Sequence, residues 1–282
     1  MIYLISRSAV FSPNAVQRDD AIFRAVQRKM VENGEEVTAC SEDELIDDPT
    51  FLLEADTYGV PVIVSMGRDV RTLRILEECE SMGFIVFNSP SALLENSRLQ
   101  IDSVMDGVGL GMKSMGTTLD AALVEREIGF PLWIKTADAA TQTADDVQYI
   151  NNIEELQRAI RHFADRGLRE WMFCEHVEGD LIKFYGVEGT DFFFWAYPNH
   201  KSGYSKFGKE AHNGKPQGFA FSVAELKESM DEAAAELGMP IYGGDAVVRS
   251  DGTIVVVDFN DFPSFSACCR EAAEAIVARV LS

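Results

Sequence analysis

The chain has 282 residues, 46% of them hydrophobic and 25% charged, which is enough apolar material for two or three lobes and excludes a disordered chain. Its 25 basic and 46 acidic residues give a formal net charge of −21, which opposes general binding to nucleic acid or to anionic lipid but leaves room for a local basic patch holding a small anion. The five cysteines are odd in number and form no C-x-x-C, which argues against a disulfide framework or a zinc site and suits a reducing, cytoplasmic setting.

In chain order, Ile2 to Ile5 reads as a strand and Asp20 to Asn33 as a helix that stops at Asn33-Gly34. The opening run is too short for a signal peptide, and no segment reaches the ~18 apolar residues of a membrane span. Strands are predicted at Val37 to Cys40, Val60 to Ser65 and Phe84 to Phe87, with a helix from Val70 to Met82. This rhythm predicts a small parallel α/β lobe over residues 1–96. It carries no G-x-G-x-x-G, so a dinucleotide role has no support.

A different pattern begins at Ser97. Helices at 97–106 and 118–128 lead to the apolar strand Pro131-Leu132-Trp133-Ile134-Lys135-Thr136. Strands at 147–150 and 171–175 flank a helix capped by Asn152, completing a central lobe over residues 97–179. The C-terminal lobe, 180–282, reads as strands at 181–187 and 191–197, a polar loop from Asn199 to Pro216, a helix at 223–237, a hairpin at 244–260 and a last helix at 267–281. Both of these lobes are of α+β type, with antiparallel sheets backed by helices.

The hairpin is the most informative segment. Asp251-Gly252 between β-rich runs signals a two-residue turn, which places Asp245 directly opposite Asp258. Asn260 follows two residues later on the same face. Two opposed carboxylates repel, and a fold keeps them together only with a compensating cation or a shared proton. Two carboxylates and an amide oxygen are hard ligands that suit Mg²⁺, with phosphate oxygens and water filling its octahedron. In so acidic a chain, a chance alignment at a solvated strand end explains the pair equally well.

From about residue 84 to 275 the sequence resembles the ATP-grasp family. Phe130-Pro131-Leu132-Trp133-Ile134-Lys135 is similar to the strand whose lysine reaches the ATP phosphates, and Glu175-His176-Val177-Glu178-Gly179-Asp180 to the hinge that holds the nucleoside. The resemblance implies an ATP-grasp fold, in which an N-terminal pre-ATP-grasp lobe precedes two α+β lobes that sandwich ATP. It further implies that Glu175, His176 and the backbone at Val177 read adenine and that Asp180 binds ribose. Arg98 and Lys135 would contact phosphate, as would Gln142 and Thr143 of a loop that here lacks the family's glycines. The metal set would be Asp245, Asp258 and Asn260, which the hairpin register selects independently, holding Mg²⁺ or Mn²⁺. Asp258-Phe259-Asn260-Asp261-Phe262-Pro263-Ser264 looks like the Asp-x-Asn-x-x-Pro-Ser motif of the ribosomal-protein glutamate ligase and inositol phosphate kinase branches. Lys183 looks like the kinase branch's lysine after the hinge, so Lys183 and Asp258 are the residues expected to carry catalysis. The arginine that D-alanine–D-alanine ligases place two residues before the first metal aspartate is Gly243 here.

The expected chemistry is transfer of the ATP γ-phosphoryl group to a small anionic substrate. A carboxylate–amine ligase acting through an acyl phosphate is the first reading, a polyol or sugar phosphate kinase the second, and an ATP sensor without turnover the third. Lys201 and Lys209 of the lysine-rich loop, Ser264 before the last helix, and Arg270 on it are candidate substrate ligands. Arg68 and Arg71 are candidates from the first lobe. Neither nucleic acid nor membrane is an expected partner, and the oligomeric state is left open.

Overall fold

A computed structural model of the chain describes residues 1–53, 59–137, 143–198 and 209–282. Strands β1 (Ile2–Ser6), β2 (Val37–Ser41), β3 (Val62–Ser65) and β4 (Ile85–Phe87) pair in parallel in the order β2-β1-β3-β4. The nearly continuous apolar runs of β1 and β3 are what a parallel sheet covered on both faces needs. On one face lies the helix Val16–Glu32, which buries Ile22, Val26 and Met30 at spacings of four. On the other face Leu45, Leu52 and Leu76 pack against Tyr3, Ile5 and Ile63.

Two antiparallel sheets follow. In the central lobe, β5 (Ser114–Met115), β6 (Leu132–Thr136), β7 (Val147–Ile150) and β8 (Trp171–Glu175) take the order β5-β8-β6-β7. The helix Ile153–Asp165 covers this sheet with Leu156, Ala159, Ile160 and Phe163. Each large side chain buried there contributes about 1.5–3 kcal/mol. Asn152 caps the helix, its side chain accepting from the Glu155 amide at 2.9 Å.

In the C-terminal lobe, β9 (Asp180–Val187), β10 (Phe193–Ala196), β11 (Ile241–Val248) and β12 (Ile254–Asp261) take the order β10-β9-β11-β12. The helix Val223–Glu236 backs them through Leu226, Met230, Ala233 and Ala234. The first and last lobes share one core, in which Ile2, Leu4, Ile22 and Val64 pack with Val187, Ile241, Phe265 and Ile276. A buried amide bridges them as well: Asn88 donates to the Ile241 carbonyl and accepts from the Ile241 amide, both at 2.8 Å.

The hairpin corrects the expected turn. Residues 250–252 form a three-residue loop, closed by Gly252 N–H to the Arg249 carbonyl at 2.9 Å and Arg249 N–H to the Thr253 carbonyl at 2.8 Å. Gly252 takes φ +84°, as the left-handed position of such a loop requires. Alone, this length would shift the register by one and set Asp245 opposite Val257. A β-bulge at Val257 restores the alignment, so that Ala246 pairs with Val256 and Asp245 with Asp258.

Among the described residues no helix is long and apolar enough to cross a membrane. All five cysteines are free thiols.

Candidate functional site

A cleft of about 360 Å³ opens where the three lobes meet. That volume is within the range usual for small-molecule sites. Its floor is a row of charge across three strands of the C-terminal sheet, in which Lys183 on β9 pairs with Asp245 on β11, and Asp245 with Asp258 on β12. Lys183 Nζ lies 2.7 Å from Asp245 Oδ1, and Arg98 Nη1 lies 2.8 Å from Asp258 Oδ1. Asn260 donates to Asp258 Oδ2 at 2.9 Å. Burial would push the Asp258 carboxyl up, but Arg98, Lys135 and the Asn260 hydrogen bond outweigh it and hold it below the usual carboxylate range.

The backbone makes this close approach possible. At Gly244 a Cβ would lie 2.2 Å from the Asp258 carbonyl oxygen and 2.6 Å from the Phe184 ring, so glycine there lets β11 sit between its neighbours. The bulge does a second job. Lys135, buried on β6, reaches out of the central lobe to donate to the Val257 carbonyl at 2.8 Å. The extra residue that restores the aspartate register is therefore also the one that docks the cleft's lysine.

Above the floor, Met112, Val147, Cys174, Leu181, Val247 and Val257 form an apolar slot. Its mouth is aromatic. Trp133 Nε1 donates to His176 Nδ1 at 3.2 Å, and both rings pack against Tyr149. Burial and the neighbouring His212 lower the His176 pKa, so its ring is neutral and accepts this bond. Glu175 lines the slot, its carboxylate accepting from the Lys113 amide at 3.0 Å and lying 3.5 Å from Arg249. The Val177 carbonyl accepts from the Asn213 side chain at 2.9 Å.

On the opposite side, the chain from Asp261 to Ser266 is pinned by Phe262 and Phe265. Both are buried, and both have positive φ, of 25° and 45°. Non-glycine residues hold such angles only where packing over-determines them. Here that packing presents Pro263, Ser264 and Ser266 to the cleft.

The structure thus brings Arg98, Lys135, Glu175, His176, Val177, Lys183, Asp245, Asp258, Asn260 and Ser264 to one cleft. Four of the expected residues lie elsewhere. Asp180 is buried and accepts from the backbone amides of Gln217, Gly218 and Phe219 at 2.7, 2.7 and 2.9 Å. These bonds outweigh burial and depress its pKa, and they occupy the oxygens that a ribose would need. Thr143 caps the 3₁₀ turn Ala144–Asp146 instead of lining the cleft. Arg270 is 81% exposed beside Glu271. Arg71 is spent on Asp69 at the surface, whereas Arg68 does reach the cleft. Gln142 and Lys201 lie outside the described residues, as does the side chain of Lys209.

The sequence reading passed over Arg7, Arg18 and Asp19, which line the cleft from the first lobe. No local motif marks them; only the shared core of the first and last lobes brings them there. Among the described residues no three His, Cys, Asp or Glu side chains form a group that could hold a metal. Two carboxylates with an amide oxygen fit Mg²⁺ bound jointly with phosphate, since that ion commonly takes only one or two carboxylates from a protein.

No protein-family model matches the sequence, and no curated protein matches it. Solved structures do match. The ATP-grasp ligase PsnB, complexed with a minimal precursor, aligns over 99% of this chain and 98% of its own at 14% identity, with a TM-score of 0.63. A RimK domain ATP-grasp protein from Sphaerobacter thermophilus aligns over 100% of both chains at 14% identity, with a TM-score of 0.65. The D-alanine–D-alanine ligase of Bacillus anthracis aligns over 99% of this chain and 97% of its own at 13% identity, with a TM-score of 0.66. These alignments run over nearly the whole chain, and the chain has the ATP-grasp fold.

Proposed function

We propose that the protein is an ATP- and Mg²⁺-dependent ligase that joins a carboxylate to an amine. The observation that carries this reading is the charged row Lys183–Asp245–Asp258–Arg98 on the cleft floor, beside an apolar slot suited to a flat base. ATP would enter as substrate, with its base in the slot and its phosphates toward Arg98, Lys135 and Lys183. Asp245, Asp258 and Asn260 would hold Mg²⁺, whose contribution is to neutralise phosphate charge. The protein's own part is to fix the reactants in line and to surround the transferred group with preorganised cations. Activation of a carboxylate as an acyl phosphate, followed by amine attack with release of phosphate, is the chemistry in keeping with the ligases of the same fold.

A kinase is the second reading, favoured by the placement of Lys183 on the cleft floor and of Ser264 at its edge. A nucleotide sensor is the third, and it gives no reason to maintain the full Asp245, Asp258 and Asn260 set. The test is to incubate the protein with MgATP and a small-metabolite extract and to quantify ADP and free phosphate together. Equal amounts of both, dependent on the extract and reduced at least about 100-fold in Asp258→Asn, are expected for the ligase. ADP without free phosphate would replace it with the kinase, and no ADP at all would leave the sensor.

A further inference from the structure

The residues assigned above to nucleotide and metal line only part of the cleft. The order β2-β1-β3-β4 means that the chain leaves β1 on one side and returns to β3 on the other. The crevice outside the carboxyl ends of β1 and β3 is therefore the topological switch point, where open α/β sheets take ligands. Arg7 follows β1 and Arg68 follows β3, and both line the cleft at this crevice. Arg18, in the first turn of the helix Val16–Glu32, joins them.

These loops are built rather than left loose. The fully buried Glu42 carboxylate accepts from the Ser8 amide at 2.5 Å and from the Arg68 and Asp69 amides, both at 2.9 Å, tying the loop after β1 to the loop after β3. Arg7 spends its guanidinium on the protein, donating to the Met66 carbonyl at 2.9 Å and the Phe262 carbonyl at 3.0 Å, and facing Asp19 at 3.4 Å. Arg68 is different. It pairs with Asp261 through Nη2, yet its Nε is buried and has no hydrogen-bond partner among the described residues. A buried N–H without an acceptor is costly. Burial, with repulsion from Arg7 and Arg98, also pulls the Arg68 pKa down to about 9. Ser264 and Ser266 face the same cleft from the C-terminal lobe.

We propose that this end of the cleft binds an oxyanion group, a carboxylate or a phosphate, on the acceptor substrate, with Arg68 as principal ligand and Glu42 as the residue that positions it. The word acceptor rests on the reading of the cleft as an ATP-dependent site; the oxyanion site itself does not. The charges assigned to the ATP phosphates, Arg98, Lys135 and Lys183, come from the other lobes, which leaves the first-lobe arginines to a second anion.

The test follows thermal unfolding of the full chain, saturated with Mg²⁺ and a non-hydrolysable ATP analogue, during titration with inorganic phosphate and separately with glutarate. At least one anion is expected to raise the midpoint, and which one does so identifies the group. In the Arg68→Gln/Asp261→Asn variant, which removes both partners and strands neither charge, half-saturation by that anion should weaken about tenfold or more. Stabilisation by the nucleotide should persist there. Glu42→Gln should weaken the anion likewise and leave nucleotide half-saturation unchanged. No anion effect in the parent protein, or an equal effect in the double variant, would overturn the proposal. If the nucleotide analogue itself fails to bind, the ATP reading falls, and the anion titration without it decides separately: dependence on Arg68 but not on Lys183 upholds the site, and the reverse removes it.

Discussion

Asp180, which is buried, and Asp258, which is half-buried, are carboxylates held ionised by different means. Asp258 relies on Arg98 and Lys135, Asp180 on three backbone amides. Because both folded-state pKa values lie below the ordinary 3.8, each contributes stability above that value and loses it as the pH falls through the lower folded value. Asp180→Asn should cost about 1–3 kcal/mol at pH 7, since an amide cannot accept equally from three donors. That loss should shrink on acidification below about pH 4, as urea denaturation at several pH values would show, and half-saturation by nucleotide should not change. An acid just after a hinge reads alike whether it faces a ligand or three amides. The amides of Gln217, Gly218 and Phe219 lie 37 to 39 residues away, which is why the sequence assigned Asp180 to ribose. Asp245 and Asp258 were legible from the hairpin pattern, whereas Lys183 was reached through the family resemblance and its pairing with Asp245 is seen only in the structure.

The hairpin shows how an element can be read correctly in outcome and wrongly in detail. Asp251-Gly252 does mark the turn, but the loop is one residue longer than the dipeptide suggested, and the bulge at Val257 compensates. A bulge leaves no sequence signal in a run such as Ile254-Val255-Val256-Val257, where every residue favours a strand. Gly244→Ala tests the fit of this element. Its new Cβ would meet backbone at Asp258, so a loss of about 1–3 kcal/mol is expected, the range for overpacking a filled interior. Chemical denaturation measures it directly; a change under 0.5 kcal/mol would mean that β11 and β12 can move apart, and that the aspartate spacing is not fixed by packing. A readable signal was passed over at Ser41-Glu42-Asp43-Glu44. This is a capping box, and it starts the short helix Glu42–Asp47 that carries the loop-tying carboxylate.

At the scale of the whole molecule, the passage from one parallel sheet to antiparallel ones was visible in the change of rhythm near residue 97. The sharing of one core by the first and last lobes was not, since it joins segments more than 150 residues apart, as in the Asn88–Ile241 bridge. Asn88→Ala would leave the Ile241 amide and carbonyl buried without partners, at about 1–3 kcal/mol for each group. Hydrogen exchange should then accelerate in β1 and β3 as well as in β11; acceleration confined to one lobe would show that their stabilities are not coupled. The Asp245, Asp258 and Asn260 face is expected to bind a divalent cation together with nucleotide phosphates. Mn²⁺ in place of Mg²⁺ makes that visible by electron paramagnetic resonance. Free Mn²⁺ signal should be lost on adding the protein with a non-hydrolysable ATP analogue, beyond what the analogue alone removes, and the extra loss should disappear in Asp258→Asn. Equal Mn²⁺ uptake by the parent and the variant would mean that Asp258 is not a metal ligand.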